Sequence, residues 1–278
     1  MESELIKNRS FSSCIKAAFT TYCTNNNTIL RNTWLAALAN ALVVGFVISA
    51  KTILPPQLLL LQIAASLLVI FTSTWLYGSL FNMLNGNGLR TNLLRVFYVS
   101  LSMTAISIIL GFLLGLVAIT AVNTSEALPA VLVPLEMYAV IMAFLLPVCY
   151  SGIKYIMEKD TRLIDVFGKQ YVVGLKSWGY LFMIVLLVGI VYAVVAIPVF
   201  SPVGSLMLAA ANNSQSVAMG DPSGLPALFK LCLFITASFS AFVLSYVFIW
   251  GTLAAYYAYG AIEKKNRDQQ NNITQAQK

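Results

Sequence analysis

The sequence predicts an all-α polytopic membrane protein with six transmembrane helices, and three observations carry this prediction. Hydrophobic residues make up 59% of the chain and charged residues only 10%, whereas a soluble domain has about 25% charged residues. Six apolar runs are long enough to cross a hydrocarbon core, which takes about 20 helical residues. The Lys and Arg residues lie almost entirely on one side of the topology that these runs define.

Short polar segments separate the six predicted spans, which lie near Asn32–Ala50, Leu58–Met83, Val96–Val122, Met137–Met157, Trp178–Phe200 and Leu231–Ile262. Of the 17 Lys and Arg residues, only Lys51 and Lys230 fall in loops on the side away from the N-terminus. Because loops rich in Lys and Arg stay in the cytoplasm, we expect an inner (cytoplasmic) membrane protein with both termini cytoplasmic. Its net charge of +7 would then face anionic lipid headgroups. No separate basic domain exists, so nucleic-acid binding is not expected.

The chain resembles three consecutive copies of one two-span unit. In the first copy, Gly45 follows Trp34 by eleven residues, and in the third copy Gly189 follows Trp178 by the same interval. These matches predict a single membrane domain over 1–262 with parallel units near 11–88, 89–162 and 163–265. Chance similarity between apolar segments is the alternative. Residues 263–278 are polar and are predicted to form a disordered cytoplasmic tail.

A short amphipathic segment precedes each outgoing span. Apolar residues recur there at the three- and four-residue steps of one helix face: Phe11, Ile15, Phe19 and Tyr22; Leu89, Leu93, Val96 and Phe97; and Leu163, Phe167, Tyr171 and Leu175. Such helices lie flat in the membrane interface, and packing against protein is the alternative. The interval Ser201–Pro226 is predicted as the longest outer loop, and Pro147 is expected to kink the fourth span because it lacks a backbone donor.

Small residues at four-residue spacing mark three spans. They predict close helix packing in lipid, either within the bundle or against a partner helix or a second copy: Ala37, Ala41, Gly45 and Ser49; Gly111 and Gly115; and Gly189 and Ala193. Polar side chains within the spans are expected to hydrogen-bond between helices, namely Asn40, Thr72, Thr74, Ser102 and Ser107. Aromatic belts mark membrane interfaces, and four tryptophans fall where such a belt is expected: Trp34, Trp75, Trp178 and Trp250.

Few residues are placed to carry chemistry. The chain has no His, which excludes catalysis and metal or haem ligation through imidazole. No phosphate-binding glycine loop occurs, and no pair of carboxylates lies within a predicted span. Glu136 and Lys230 lie at the outer ends of the fourth and sixth spans, where they either pair or merely mark the interface. We therefore expect a protein that is not an enzyme and binds no cofactor or metal.

Six spans, cytoplasmic termini, interfacial helices and a glycine in each returning span together resemble a prokaryotic membrane domain. That domain occurs alone in YciC-type inner-membrane proteins and also as the membrane part of some glycerophosphodiester phosphodiesterases. The resemblance implies a membrane module without the hydrolase domain. We expect an accessory or scaffold subunit whose partners are membrane lipids and other membrane proteins or a second copy. The alternative is a transporter or facilitator for an uncharged or amphiphilic solute.

Overall fold

The computed structural model describes residues 5–53, 59–122, 127–220 and 224–276. Over these residues all of the regular secondary structure is helical, which confirms the all-α prediction. The helices are α1 (Phe11–Thr24), α2 (Asn26–Ile53), α3 (Leu59–Asn85), α4 (Leu89–Val122), α5 (Ala127–Met157), α6 (Leu163–Phe167), α7 (Lys169–Lys176), α8 (Trp178–Ala218) and α9 (Phe229–Ala276). Six of them, α2, α3, α4, α5, α8 and α9, are long and apolar enough to cross a membrane.

The chain divides into two compact units. Unit 1 comprises Met1–Ala18, Leu94–Leu186 and Ala254–Lys278, and unit 2 comprises Phe19–Leu93 and Leu187–Leu253. Their boundaries do not coincide with those of the three predicted repeat units, so the repeat stays a prediction.

Two of the three predicted amphipathic segments form separate helices. The first is α1, and the second is the pair α6 and α7. By contrast, Leu89 begins the continuous helix α4, so the segment before the third span is not a separate element. Phe19 on α1 and Phe167 on α6 are exposed, as an apolar face that meets lipid would be. The placement of these helices in the interface stays a prediction.

The interval Ser201–Pro226 is not the loop that its Pro, Gly and Ser residues predict. Helix α8 runs through Ala218 with Pro198 and Pro202 inside it, and residues 221–223 lie outside the described part. Tertiary packing in unit 2 explains the difference, because Val203 and Ala210 form a buried apolar cluster with Phe229, Leu233 and Ala237. That burial outweighs the weak local preference for a loop.

The expectation of a disordered tail is also corrected. Helix α9 continues through Ala276, and Glu263, the first residue of the predicted tail, is buried. At 48 residues the helix is about 70 Å long at about 1.5 Å per residue, far more than a hydrocarbon core of about 30 Å requires. Its polar end therefore extends beyond any single crossing.

Helices α2 and α3 pack against each other in unit 2 through an amide that the sequence singles out. The Oδ1 atom of Asn40 accepts hydrogen bonds from the hydroxyls of Thr72 and Ser73, each at 3.0 Å. This contact shows Asn40 and Thr72 bonded between helices, as expected of each. It satisfies the amide oxygen inside an apolar helix pair, where an unpaired polar group would be costly. By contrast, the Thr74 hydroxyl has no partner among the described residues, and Ser102 donates to the Tyr98 carbonyl of its own helix.

Candidate functional site

A buried charge network lies in unit 1, with Glu263 of α9 at its centre. The Oε2 atom of Glu263 accepts hydrogen bonds from the Tyr150 hydroxyl and from Nζ of Lys154, both at 2.9 Å. Its Oε1 atom accepts from Nε of Arg267 at 3.3 Å. Lys154 and Glu263 are both buried, so each removes the desolvation cost that the other would bear alone.

Glu158, just past the end of α5, completes this network. Its Oε1 atom accepts a hydrogen bond from the Tyr259 hydroxyl at 2.8 Å, and its Oε2 atom lies 3.8 Å from Nζ of Lys154. The network thus holds two carboxylates, from Glu158 and Glu263, and two cations, from Lys154 and Arg267. Its charges balance, and both carboxylates bind donors from another helix.

Arg95 of α4 binds the C-terminal end of α5, next to Glu158. Its guanidinium donates to the backbone carbonyls of Tyr155, Glu158 and Lys159, and its Cζ atom lies 4.6 Å from the centre of the Tyr155 ring. These carbonyls lie at or just past the end of a helix, where intrahelical donors are missing, and the Glu158 carbonyl also accepts from the backbone N–H of Thr161 at 3.3 Å. A cation there also suits the negative end of the helix dipole.

The sequence pattern did not reveal this network. Glu263 is the first residue of the predicted disordered tail, and Lys154 and Arg95 count only among the Lys and Arg residues that predict the orientation of the spans. A signal was present in the four-residue spacing of Lys154 and Glu158 and of Glu263 and Arg267, since residues at that spacing are neighbours on one helix face. The pairing of α5 with α9, however, is a tertiary contact that spacing along one helix does not reveal.

Pro147 does not interrupt α5, and two aromatic side chains satisfy the carbonyls around it. Pro147 has no N–H to bond the carbonyl of Ala143, four residues earlier. The indole Nε1 of Trp178 donates to that carbonyl at 2.8 Å, and the Tyr171 hydroxyl donates to the Phe144 carbonyl at 2.7 Å. Side chains of α7 and α8 thus donate to the carbonyls of Phe144 and Ala143, although Pro147 supplies no N–H to α5.

Replacing Trp178 with Phe is expected to lower the free energy of unfolding by about 1–3 kcal/mol, because it leaves the Ala143 carbonyl without a donor. The same replacement should cost less in a Pro147→Ala background, where the restored N–H of residue 147 bonds that carbonyl. Thermal unfolding of the four variants in one detergent measures the coupling. Equal costs in the two backgrounds would contradict this account of the indole.

A basic cavity of about 830 Å³ lies in unit 1, bounded by the N-terminal segment and by parts of α7, α8 and α9. Three cations line it, namely Arg9, Lys176 and Lys265, and the described lining includes no carboxylate. The other lining residues are Asn8, Ser10, Phe11, Ser177, Gly179, Tyr180, Ala261 and Ile262. A cavity of this size and charge is suited to an anionic ligand.

Cys14 of α1 is anchored beside this cavity. The Tyr180 hydroxyl donates to the backbone carbonyl of Arg9 at 3.0 Å, and Sγ of Cys14 lies 3.0 Å from the same hydroxyl oxygen. Burial raises the pKa of the Cys14 thiol, and this effect exceeds the lowering by the Tyr180 hydrogen bond and by Arg9.

Cys14 is expected to resist maleimide at a neutral pH at which Cys23 is labelled. The raised pKa lowers the thiolate fraction of Cys14, and its side chain is buried, whereas Cys23 is exposed. Peptide mass spectrometry resolves the two sites, and unfolding in denaturant should make Cys14 react. Labelling of both at the same rate in the folded protein would contradict the buried placement of Cys14.

The three small-residue stripes have different surroundings. On α2, Ala37, Ala41 and Ser49 are buried, and a Cβ added at Gly45 would meet Oγ of Ser238 and lie 2.8 Å from its backbone nitrogen. The other two stripes do not pack inside the described part of the chain. Gly111, Gly115, Gly189 and Ala193 are exposed, and a Cβ at any of the three glycines would find no described atom within 4 Å.

The four tryptophans also differ in their surroundings. Trp34 and Trp75 are exposed, as expected for an interfacial belt, and Trp178 is bonded to α5. Trp250 differs from the expectation, because it is buried in unit 2 and its Nε1 atom has no hydrogen-bond partner among the described residues. Its position within α9 faces it into protein.

Glu136 and Lys230 are both exposed, Glu136 on α5 and Lys230 on α9. They belong to different units, and their pairing stays a prediction. No family model matches this chain, and neither a curated protein nor a solved structure matches it.

Proposed function

We propose that this chain is a non-catalytic multi-pass membrane protein that serves as an accessory or scaffold subunit and binds lipid and other membrane proteins. One contrast carries the proposal. The charged groups of the buried network are satisfied by one another. Gly111 and Gly115 of α4, by contrast, are exposed, and a Cβ added at either would have no described atom within 4 Å. In lipid, a pair of glycines at this spacing lets a second helix approach closely.

The same proposal includes an inner-membrane location with both termini in the cytoplasm, because only Lys51 and Lys230 of the 17 Lys and Arg residues fall in the predicted outer loops. It also includes kinship with the YciC-type membrane domains, which share the predicted architecture. Both parts rest on the sequence pattern and on the six apolar helices.

The accessory role is tested by extracting the whole protein with its surrounding lipid and quantifying every protein that copurifies. Replacing Gly111 and Gly115 with Ile is expected to remove a stoichiometric partner, because two branched side chains would prevent close helix approach. Ala105→Ile is the control, since Ala105 is exposed on another face of α4 and also receives a branched isoleucine side chain. Retention of the partner by the glycine variant would contradict a partner on this face.

A transporter or facilitator for an uncharged or amphiphilic solute is the second candidate, and buried hydroxyls in unit 2 favour it. The hydroxyls of Ser49, Thr74 and Ser238 have no hydrogen-bond partner among the described residues. An open apolar groove of about 610 Å³ in the same unit is lined by Tyr192, Ala196, Ile197, Phe200, Ser201 and Leu244. A copurifying lipid or solute with no protein partner would support this function over the accessory role.

A further inference from the structure

We propose that the basic cavity of unit 1 binds the phosphate-bearing headgroup of an anionic membrane lipid. This inference deepens the lipid-binding part of the proposed function and rests on it. It assigns that binding to one site, lined by Arg9, Lys176 and Lys265 among others, and it assigns the chemistry of the ligand.

Two of the three cations that line the cavity, Lys176 and Lys265, are not paired with a carboxylate of the described residues. On α9, Lys264 is 2.7 Å from Oδ1 of Asp268, and Arg267 is 3.3 Å from Oε1 of Glu263. No described carboxylate forms such a pair with Lys176 or Lys265. Two uncompensated ammonium groups therefore face a partly enclosed space, where an anion is attracted more strongly than at an open surface.

The third cation is held in place by the N-terminal segment. Arg9 donates through Nη1 to the Leu5 carbonyl at 2.7 Å, and its Cζ atom lies 5.1 Å from the centre of the Tyr257 ring. Leu5 itself is buried and contacts Gly260, where an added Cβ would lie 2.8 Å from Cδ1 of Leu5. The wall that carries Arg9 is thus positioned before any ligand enters.

The remaining lining suits a headgroup. Ser10 and Ser177 are hydroxyl-bearing residues of the lining, and a hydroxyl can donate to a phosphate oxygen. The cavity also includes Gly179 in the first turn of α8, whose positive dipole end favours an anion. Phe11 adds an apolar surface against which the glycerol and the upper acyl chains can pack.

The position of the cavity along the chain commits the ligand to a lipid rather than to a free phosphate. The cavity lies where the membrane-length helix α8 begins and where the apolar part of α9 gives way to its polar end after Ile262. The ends of two membrane-length helices are where lipid headgroups are found. A water-soluble phosphate would not need the apolar contacts of Phe11 and Ile262.

The test uses the full chain, delipidated in detergent at physiological ionic strength and titrated with phosphatidic acid by native mass spectrometry. The Lys176→Gln/Lys265→Gln double variant is expected to bind about 30-fold more weakly, at about 1 kcal/mol for each lysine. The control double variant Lys16→Gln/Lys169→Gln removes two exposed lysines outside the lining. Its binding should change by less than about twofold, because these lysines, although exposed like Lys176 and Lys265, do not line the cavity, and salt screens charges at a distance from the ligand. Arginine at both cavity positions should retain binding.

Three results would overturn the assignment. They are equal weakening by the two double variants, equal binding of phosphatidylcholine with the same acyl chains, and binding of glycerol phosphate as tight as that of the lipid. Glycerol phosphate would show that the phosphate source is soluble. None of these results bears on whether a protein partner copurifies, so failure of the cavity assignment and failure of the accessory role are separate outcomes.

Discussion

Replacing Glu263 with Gln is expected to lower the free energy of unfolding by about 3–5 kcal/mol, because it leaves the Lys154 ammonium buried without its main counter-charge. Nζ of Lys154 lies 2.9 Å from Oε2 of Glu263 and 3.8 Å from Oε2 of Glu158. Glu158, the carboxylate that remains in the variant, is therefore the weaker partner. The measurement is the midpoint of thermal unfolding in detergent, followed by size-exclusion chromatography.

The control for this prediction is Asp268→Asn on the same helix. Asp268 pairs with Lys264 at 2.7 Å, but both side chains are substantially exposed, at 45% and 40%. An exposed pair contributes only about 0–1 kcal/mol, so this variant should unfold near the wild type. A third variant, Lys154→Met with Glu263→Gln, should recover most of the loss because no buried charge remains. Similar losses in all three would contradict the buried ion pair as the cause.

Replacing Gly45 with Ala is expected to destabilise the protein by about 1–3 kcal/mol through overpacking. A methyl group there would meet the Ser238 side chain and its backbone nitrogen, the latter at 2.8 Å. The backbone of α9 cannot turn away as a flexible side chain could, so α2 and α9 would have to separate. The buried Ala37 and Ala41 on the same face of α2 would lose part of their contact area as well.

The sign of the effect should reverse at the exposed glycines. Gly111→Ala and Gly189→Ala meet no described atom within 4 Å, and replacing a helical glycine with alanine is otherwise favourable by about 0.5–1 kcal/mol. Unfolding of the purified variants should therefore place Gly45→Ala below the wild type and the other two at or above it. An equal change in stability for the three glycine-to-alanine variants would show that the α2–α9 contact does not require a glycine.

The sequence pattern alone was sufficient for the membrane class. The length and spacing of the apolar runs predict six membrane-length helices because burial in a bilayer depends on hydrophobicity summed along a segment, which is a local property. That Asn40 and Thr72 bond between helices was also predictable, since a buried polar group is costly without a partner. Which residues pair was not, and Thr74 has no partner among the described residues. The three small-residue stripes, by contrast, look alike in sequence, and Gly45 could not be distinguished from Gly111 by spacing.

Only the tertiary structure decided which residues are brought together from distant parts of the chain. The packing of α5 against α9 turns Glu263 from the first residue of an apparent tail into the centre of a buried ion network. Packing of Val203 against Leu233 keeps α8 helical through a segment whose prolines predict a loop. Likewise, the cavity joins residues near positions 9, 176 and 265. Sequence periodicity indicates which face of a helix is apolar. Whether a residue on that face is buried or paired depends on what the face contacts, and the arrangement of several helices determines this contact.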